Sequence, residues 1–182
     1  MGIFLRLADA IDAVSRAIGR SVMWLAVVLV VWQFAVVVLR YGFGTSVVWA
    51  QEMVTYLHAF LFMLAIGYAY MLDAHVRVDF YSVNWSERRR AVVEIACILL
   101  AVFPFCALLV WASWGYVAVS FRLGEGPMQM GGLPWQPYLK GLILVMAGLL
   151  ALQSLSILIR AFGVLTGRAN STFPHRQSVG EA

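Results

Sequence analysis

Apolar residues in this chain arrive in long runs, not in the short alternating stretches of a water-soluble domain. Four runs approach or exceed the ~20 residues that a helix needs to cross a hydrocarbon core: Ser21–Leu39, Val47–Leu72, Ala91–Phe121 and Gly141–Ile159. The second and third exceed that minimum, which predicts that they tilt or project beyond the bilayer. Pro104 inside the third removes a backbone donor and predicts a bend there. Ahead of the first run, Ile3, Leu7, Ile11, Val14 and Ile18 recur at steps of three and four, with Arg6, Asp9, Asp12, Arg16 and Arg20 on the other side. That pattern predicts an amphipathic helix over residues 2–20 lying in the cytoplasmic interface, with Asp12 and Arg16 spaced as an i,i+4 ion pair. A plain extension of the first span is the alternative.

The connections differ in kind. Between the second and third runs the chain reads DAHVRVDFYSVNWSERRR. Its end looks like a helix start, with Asn84 or Ser86 as the cap and Glu87 in the first turn. Between the third and fourth runs, RLGEGPMQMGGLPWQPYLK holds four glycines and three prolines, which predicts irregular backbone.

Composition agrees with the pattern: 63% of residues are hydrophobic, 12% are charged and the mean hydropathy is +0.85. These values exclude an ordinary soluble domain. The net charge of +4 does not point to nucleic acid, because the cations sit at the ends of apolar runs and form no single patch. Arg6, Arg16, Arg20, Arg77, Arg88, Arg89, Arg90, Arg160, Arg168 and Arg176 fall on one side, and only Arg40, Arg122 and Lys140 on the other. This bias places both termini and the 73–90 connection in the cytoplasm. The predicted architecture is therefore all-α and integral to the lipid bilayer. It has four transmembrane helices, both termini cytoplasmic, in a single membrane domain over residues 1–165. A polar cytoplasmic tail follows over 166–182. Cys97 and Cys106 are nine residues apart, so they face opposite ways on a helix and are expected as free core thiols.

Catalytic and cofactor patterns are missing. Only His58 among the histidines falls within a predicted span, whereas a di-haem protein needs axial histidines on facing helices. There is no metal-ligand cluster, phosphate-binding glycine loop or nucleophile elbow, so an enzyme is not expected and no cofactor is predicted for this chain. The remaining clue is polar residues inside the spans, which are costly in lipid and normally face protein or water. Gln51, Thr55 and His58 form one stripe of the second span, Gln33 lies in the middle of the first, and Gln153, Ser156 and Arg160 form a stripe in the fourth. Each stripe can bind substrate or join helices, and joining is the commoner use. Glu52 lies about five residues into its span, or ~7.5 Å deep. An acid that carries protons or ions is expected nearer the midplane. An ion pair with Arg40 across the outer turn is the favoured reading, with Tyr41 and Trp49 as interface anchors.

Several of these residues together resemble a known family. Arg40-Tyr41, Phe43, Ser46, Trp49 and Glu52 are similar to the motif between the first two spans of the DctQ-like small membrane subunit of tripartite ATP-independent periplasmic (TRAP) transporters. His75, Arg77, Val78 and Asp79 resemble its motif after the second span, and Arg89-Arg90 its basic start of the third. Leu133-Pro134-Trp135, Pro137, Lys140, Gly148 and Gln153 resemble its last loop and fourth span. The resemblance covers roughly residues 10 to 165. It implies a non-catalytic scaffold beside a large membrane subunit that moves a small organic acid with sodium. A periplasmic binding protein would deliver that acid, and the sodium would bind to the large subunit, in a bacterial inner membrane. Within it, either the Gln51, Thr55 and His58 stripe or the Gln33 side of the first helix is expected to meet the large subunit. The outer loop with Glu125 and Trp135 is expected as a landing surface for the binding protein. The runner-up is a standalone four-helix carrier that uses Glu52 for protons.

Overall fold

The computed structural model describes residues 2–73, 85–127, 129–167 and 172–173. All regular structure among them is helical: α1 (Gly2–Gly42), α2 (Val48–Met71), α3 (Glu87–Cys97), a π-helical turn (Ile98–Val102), α4 (Phe103–Leu123) and α5 (Gln136–Leu165). Each of the four apolar runs lies on a helix long and apolar enough to cross a membrane, with α3, the π turn and α4 forming one continuous rod from Glu87 to Leu123.

Local chemistry explains the boundaries. Ser86 is the N-cap of α3, its Oγ accepting from the Arg89 backbone N–H at 3.4 Å, and Glu87 stands in the first turn, where a negative charge meets the positive end of the helix dipole. The π turn lies immediately before Phe103-Pro104. Proline cannot donate to the helix ladder and its ring presses on the preceding turn. The irregularity expected at Pro104 thus takes the form of a widened turn just ahead of it. At the end of α4, Gly124 adopts φ 57°, a left-handed cap that glycine accepts without strain.

The helix α5 is the hub. It packs against α1, α2, α3 and α4, with α1 also lying along α2. Small residues allow the close approaches. A side chain at Gly19 would collide with Tyr68, and a Cβ at Gly67 would sit 3.3 Å from the Leu149 carbonyl oxygen. The apolar core where α2 ends and α3 begins gathers Tyr70, Ile98 and Ile157, and Phe173 from the chain beyond α5 closes it. The outer surface is itself apolar: Leu100 is 80% and Trp111 79% exposed, as suits a protein whose solvent is lipid.

Residues 2–20 are helical and run without a break into the first apolar run: α1 is one helix of 41 residues, about 60 Å long at 1.5 Å per residue, twice the ~30 Å of a hydrocarbon core. Two expectations need correcting here. Asp12 does not pair with Arg16, because that face of α1 is turned onto α5 and a better-placed cation, Arg160, meets it there. Cys106 is buried as expected of a core thiol, but Cys97 is exposed; both are free.

Candidate functional site

The fourth-span stripe closes onto α1. Ser15 Oγ donates to Gln153 Oε1 at 2.6 Å, Gln153 Nε2 donates to Asp12 Oδ1 at 2.8 Å, and Ser156 Oγ donates to the same Oδ1 at 2.7 Å. Arg160 Nη2 reaches Asp12 Oδ2 and Asp9 Oδ1, each at 2.6 Å, while its Nε adds a longer bond of 3.2 Å to Asp12 Oδ2. Asp12 is 2% exposed and Gln153 0%. This network is a helix-to-helix lock, the joining use of the stripe. Asp12 was expected only as a partner for Arg16, and Ser15 was not singled out. The signal that marks them is the run Ala8, Asp12, Ser15, Gly19, spaced at four, three and four residues, all of which are buried on one face of α1. It is a small and polar seam of the kind that lets helices approach closely in lipid.

At the end of the bundle where α1 turns into α2, the structure separates two residues that were expected to meet. Glu52 does not pair with Arg40. Its Oε2 accepts a 2.6 Å hydrogen bond from the Leu133 backbone N–H, across the loop that precedes α5. Arg40 stands at the exposed end of α1, its guanidinium 5.9 Å from the centre of the Tyr41 ring. The reason is local. Gly132 has no side chain, and any Cβ there would collide with the Glu52 carboxylate, so the loop can lie directly on α2 and offer its main chain to the acid. One turn further along, buried Tyr56 meets Trp135 edge-on at 6.2 Å between ring centres. Glu52 thus ties α2 to the loop before α5, and not α1 to α2 through Arg40 as expected.

The other end of that loop has a clamp of its own. Glu125 Oε2 takes hydrogen bonds from Lys140 Nζ and, at 2.7 Å, from Ser120 Oγ. These two bonds hold the Glu125 carboxyl below the usual carboxylate range. Lys140 Nζ also lies 4.0 Å from the centre of the Tyr116 ring.

The second-span stripe does not act as a unit. Gln51 turns back along the α1–α2 connection, its Nε2 donating to Ser46 Oγ at 3.0 Å. Trp49 leans on Trp32 with 5.8 Å between ring centres, and Trp32 Nε1 donates to the Ala50 carbonyl at 2.9 Å. Thr55 and His58 join Gln33 instead, along a groove of about 590 Å³ between α1 and α2, whose other walls are Leu29, Val30, Phe34 and Val54. His58 stacks on Phe62 at 6.5 Å. His75, Arg77 and Asp79 lie outside the described residues. Among the described residues, no group of three or more His, Cys, Asp and Glu side chains is placed to hold a metal ion.

Four long apolar helices, an acid tied to a loop and a polar stripe spent on helix joining describe a helical bundle suited to a membrane. The family model for the DctQ component of tripartite ATP-independent periplasmic transporters matches residues 26–163. The chain belongs to this family. As a DctQ component it is part of a transporter and not an enzyme. The match covers most of the first apolar run, all of the other three, and the Arg40, Glu52 and Leu133-Pro134-Trp135 positions that carry the resemblance in the sequence. It begins after Asp12 and Ser15, so the α1 half of the lock lies outside the matched residues. No curated protein and no solved structure matches the chain.

Proposed function

We propose that this DctQ component is the fixed scaffold subunit of a sodium-coupled TRAP transporter that imports a small organic acid. Its partners in this reading are a large membrane subunit, which carries the substrate and the sodium, and a periplasmic binding protein, which delivers the acid. The observation that carries the reading is the α1–α5 lock. Gln153, Ser156 and Arg160, the polar stripe best suited to line a path through α5, are spent on Asp12 and Ser15. A helix pair fastened by buried polar bonds suits a component that holds still while its neighbour moves.

The membrane setting follows from the same features. In this reading the chain sits in a bacterial inner membrane with both termini in the cytoplasm, an orientation that the arginine bias supports. Exposed Ile3, Phe4, Leu7 and Val14 at the start of α1, beside Arg6, Arg16 and Arg20, suit an amphipathic stretch resting against the cytoplasmic interface. On the opposite side, the outer loop holds up Met130 and Trp135 as a landing surface for the binding protein, fastened from beneath by Glu52 and Glu125.

Reconstitution tests the reading. Liposomes containing this chain and the large subunit, supplied with the binding protein and a sodium gradient, take up substrate, and liposomes containing this chain alone do not. Uptake or proton-coupled export by this chain alone, abolished by Glu52→Gln, would establish the standalone carrier instead.

A further inference from the structure

The polar side chains singled out in the first, second and fourth spans divide into two sets. Gln153, Ser156 and Arg160 are consumed on α1, Glu52 on the Leu133 N–H and Gln51 on Ser46. Gln33, Thr55 and His58 are different: no hydrogen bond within the described residues holds any of them, and all three are exposed. They line one groove between α1 and α2.

Their depth makes that exposure meaningful. His58 is ten residues from Val48 at the outer end of α2, and Gln33 is nine residues from Gly42 at the outer end of α1. At 1.5 Å per residue both lie about 14–15 Å in, close to the middle of a hydrocarbon core ~30 Å thick. Lipid tails offer no hydrogen bonds there, so polar side chains at such depth normally face protein or water. An amide, a hydroxyl and an imidazole can each donate and accept. The rest of the lining, Leu29, Val30, Phe34 and Val54, carries no charge that would balance an ionised partner. The matching surface is therefore an apolar helix ridge bearing uncharged amide or hydroxyl groups.

We propose that this groove receives a transmembrane helix of the large membrane subunit, which places Asn, Gln, Ser or Thr side chains at mid-bilayer depth against Gln33, Thr55 and His58. The inference rests on the reading that the chain works beside such a subunit, and it names the face and the chemistry of their contact. The groove lies on the α1–α2 side of the bundle; α4 carries Trp111, 79% exposed, on a helix that meets α5.

Cysteine cross-linking in membranes tests it, with the full chain co-expressed with the large subunit and with Cys97→Ala and Cys106→Ala removing the native thiols. A thiol-directed photo-cross-linker on Thr55→Cys is expected to join the large subunit, whereas the same probe on Trp111→Cys reacts with lipid. A Thr55→Cys adduct to a second copy of this chain, or to lipid alone, overturns the proposal. In parallel, Gln33→Leu with His58→Leu is expected to lower the amount of large subunit that co-purifies by about tenfold, the scale of two interhelical hydrogen bonds in lipid. His58→Gln, which keeps a donor and an acceptor, restores most of the loss. Undiminished co-purification of the double leucine variant also overturns the proposal. Melting of the isolated chain separates this from misfolding, since exposed side chains should leave it unchanged. If the wild-type chain does not co-purify with the large subunit at all, the scaffold reading fails first and the groove with it. If it assembles but Thr55→Cys does not reach the large subunit, the groove alone fails.

Discussion

Asp12 of α1 and Arg160 of α5 form a buried ion pair, Oδ2 to Nη2 at 2.6 Å, between residues 148 positions apart. The side chains are 3% and 6% exposed. Two charges so deeply placed are held by the bonds around them: Gln153 and Ser156 on the carboxylate, Asp9 on the guanidinium. Breaking one side is therefore worse than removing both. Arg160→Leu is expected to destabilise the chain by about 3 kcal/mol, the scale seen when a buried charge loses its partner. The pair of changes Asp12→Leu and Arg160→Leu should cost less than Arg160→Leu alone. Thermal melting of the three proteins in detergent checks the order.

Gly132 and Gly126 lie in the same loop but should respond differently to alanine. A Cβ at Gly132 collides with Glu52, whereas one at Gly126 meets nothing within 4 Å. Gly132→Ala is expected to push the Glu52 carboxylate off the Leu133 N–H, at about 1.5–3 kcal/mol for a lost hydrogen bond to a charged group, and so to loosen the loop and expose it to added protease. Gly126→Ala should leave both the melting temperature and the cleavage rate near wild type.

Phe173 lies beyond the last helix in what reads as a polar tail, yet it is 5% exposed, with Tyr70 edge-on at 6.5 Å and Ile98 and Ile157 beside it. Truncating a buried phenylalanine typically costs ~3–5 kcal/mol. Phe173→Ala should fall within this range. Deletion from Thr172 onward should lower the melting temperature at least as much, while Phe173→Leu keeps most of it.

The clamp between Glu125, Lys140 and Ser120 gives a pH dependence whose direction can be worked out. Lys140 and Ser120 favour the ionised carboxylate, so the folded-state value is depressed below the ordinary 4.5. A depressed value means that the unfolded chain takes up its proton first as the pH falls. The contribution of the clamp is thus complete above about 4.5 and is lost as the pH drops from there through the lowered folded value. The melting temperature of wild type should exceed that of Glu125→Gln by a constant margin from neutral pH down to that range. Below it the two curves should converge.

Much of the architecture was legible in the residues. The four apolar runs, the cap at Ser86, the disturbed helix ahead of Pro104 and the irregular loop between α4 and α5 follow from periodicity, length and the special backbones of glycine and proline. The polar stripe of α5 could be seen as a seam that joins helices, because its spacing places Gln153, Ser156 and Arg160 on one face.

The partners of those side chains were not legible. Spacing reports which face of a helix is polar but not what lies across from it, so Arg160 could be drawn as a topology signal and Asp12 as a partner for Arg16 until α1 was seen against α5. Glu52 was harder still. Its partner is the backbone N–H of Leu133, 81 residues away, and every residue except proline carries the same donor. Nothing in the side-chain pattern distinguishes that one. Local interactions are written in neighbouring residues and could be read from them; the lock, the loop clamp and the exposed polar groove arise from helices meeting in space, and folding alone brings them together.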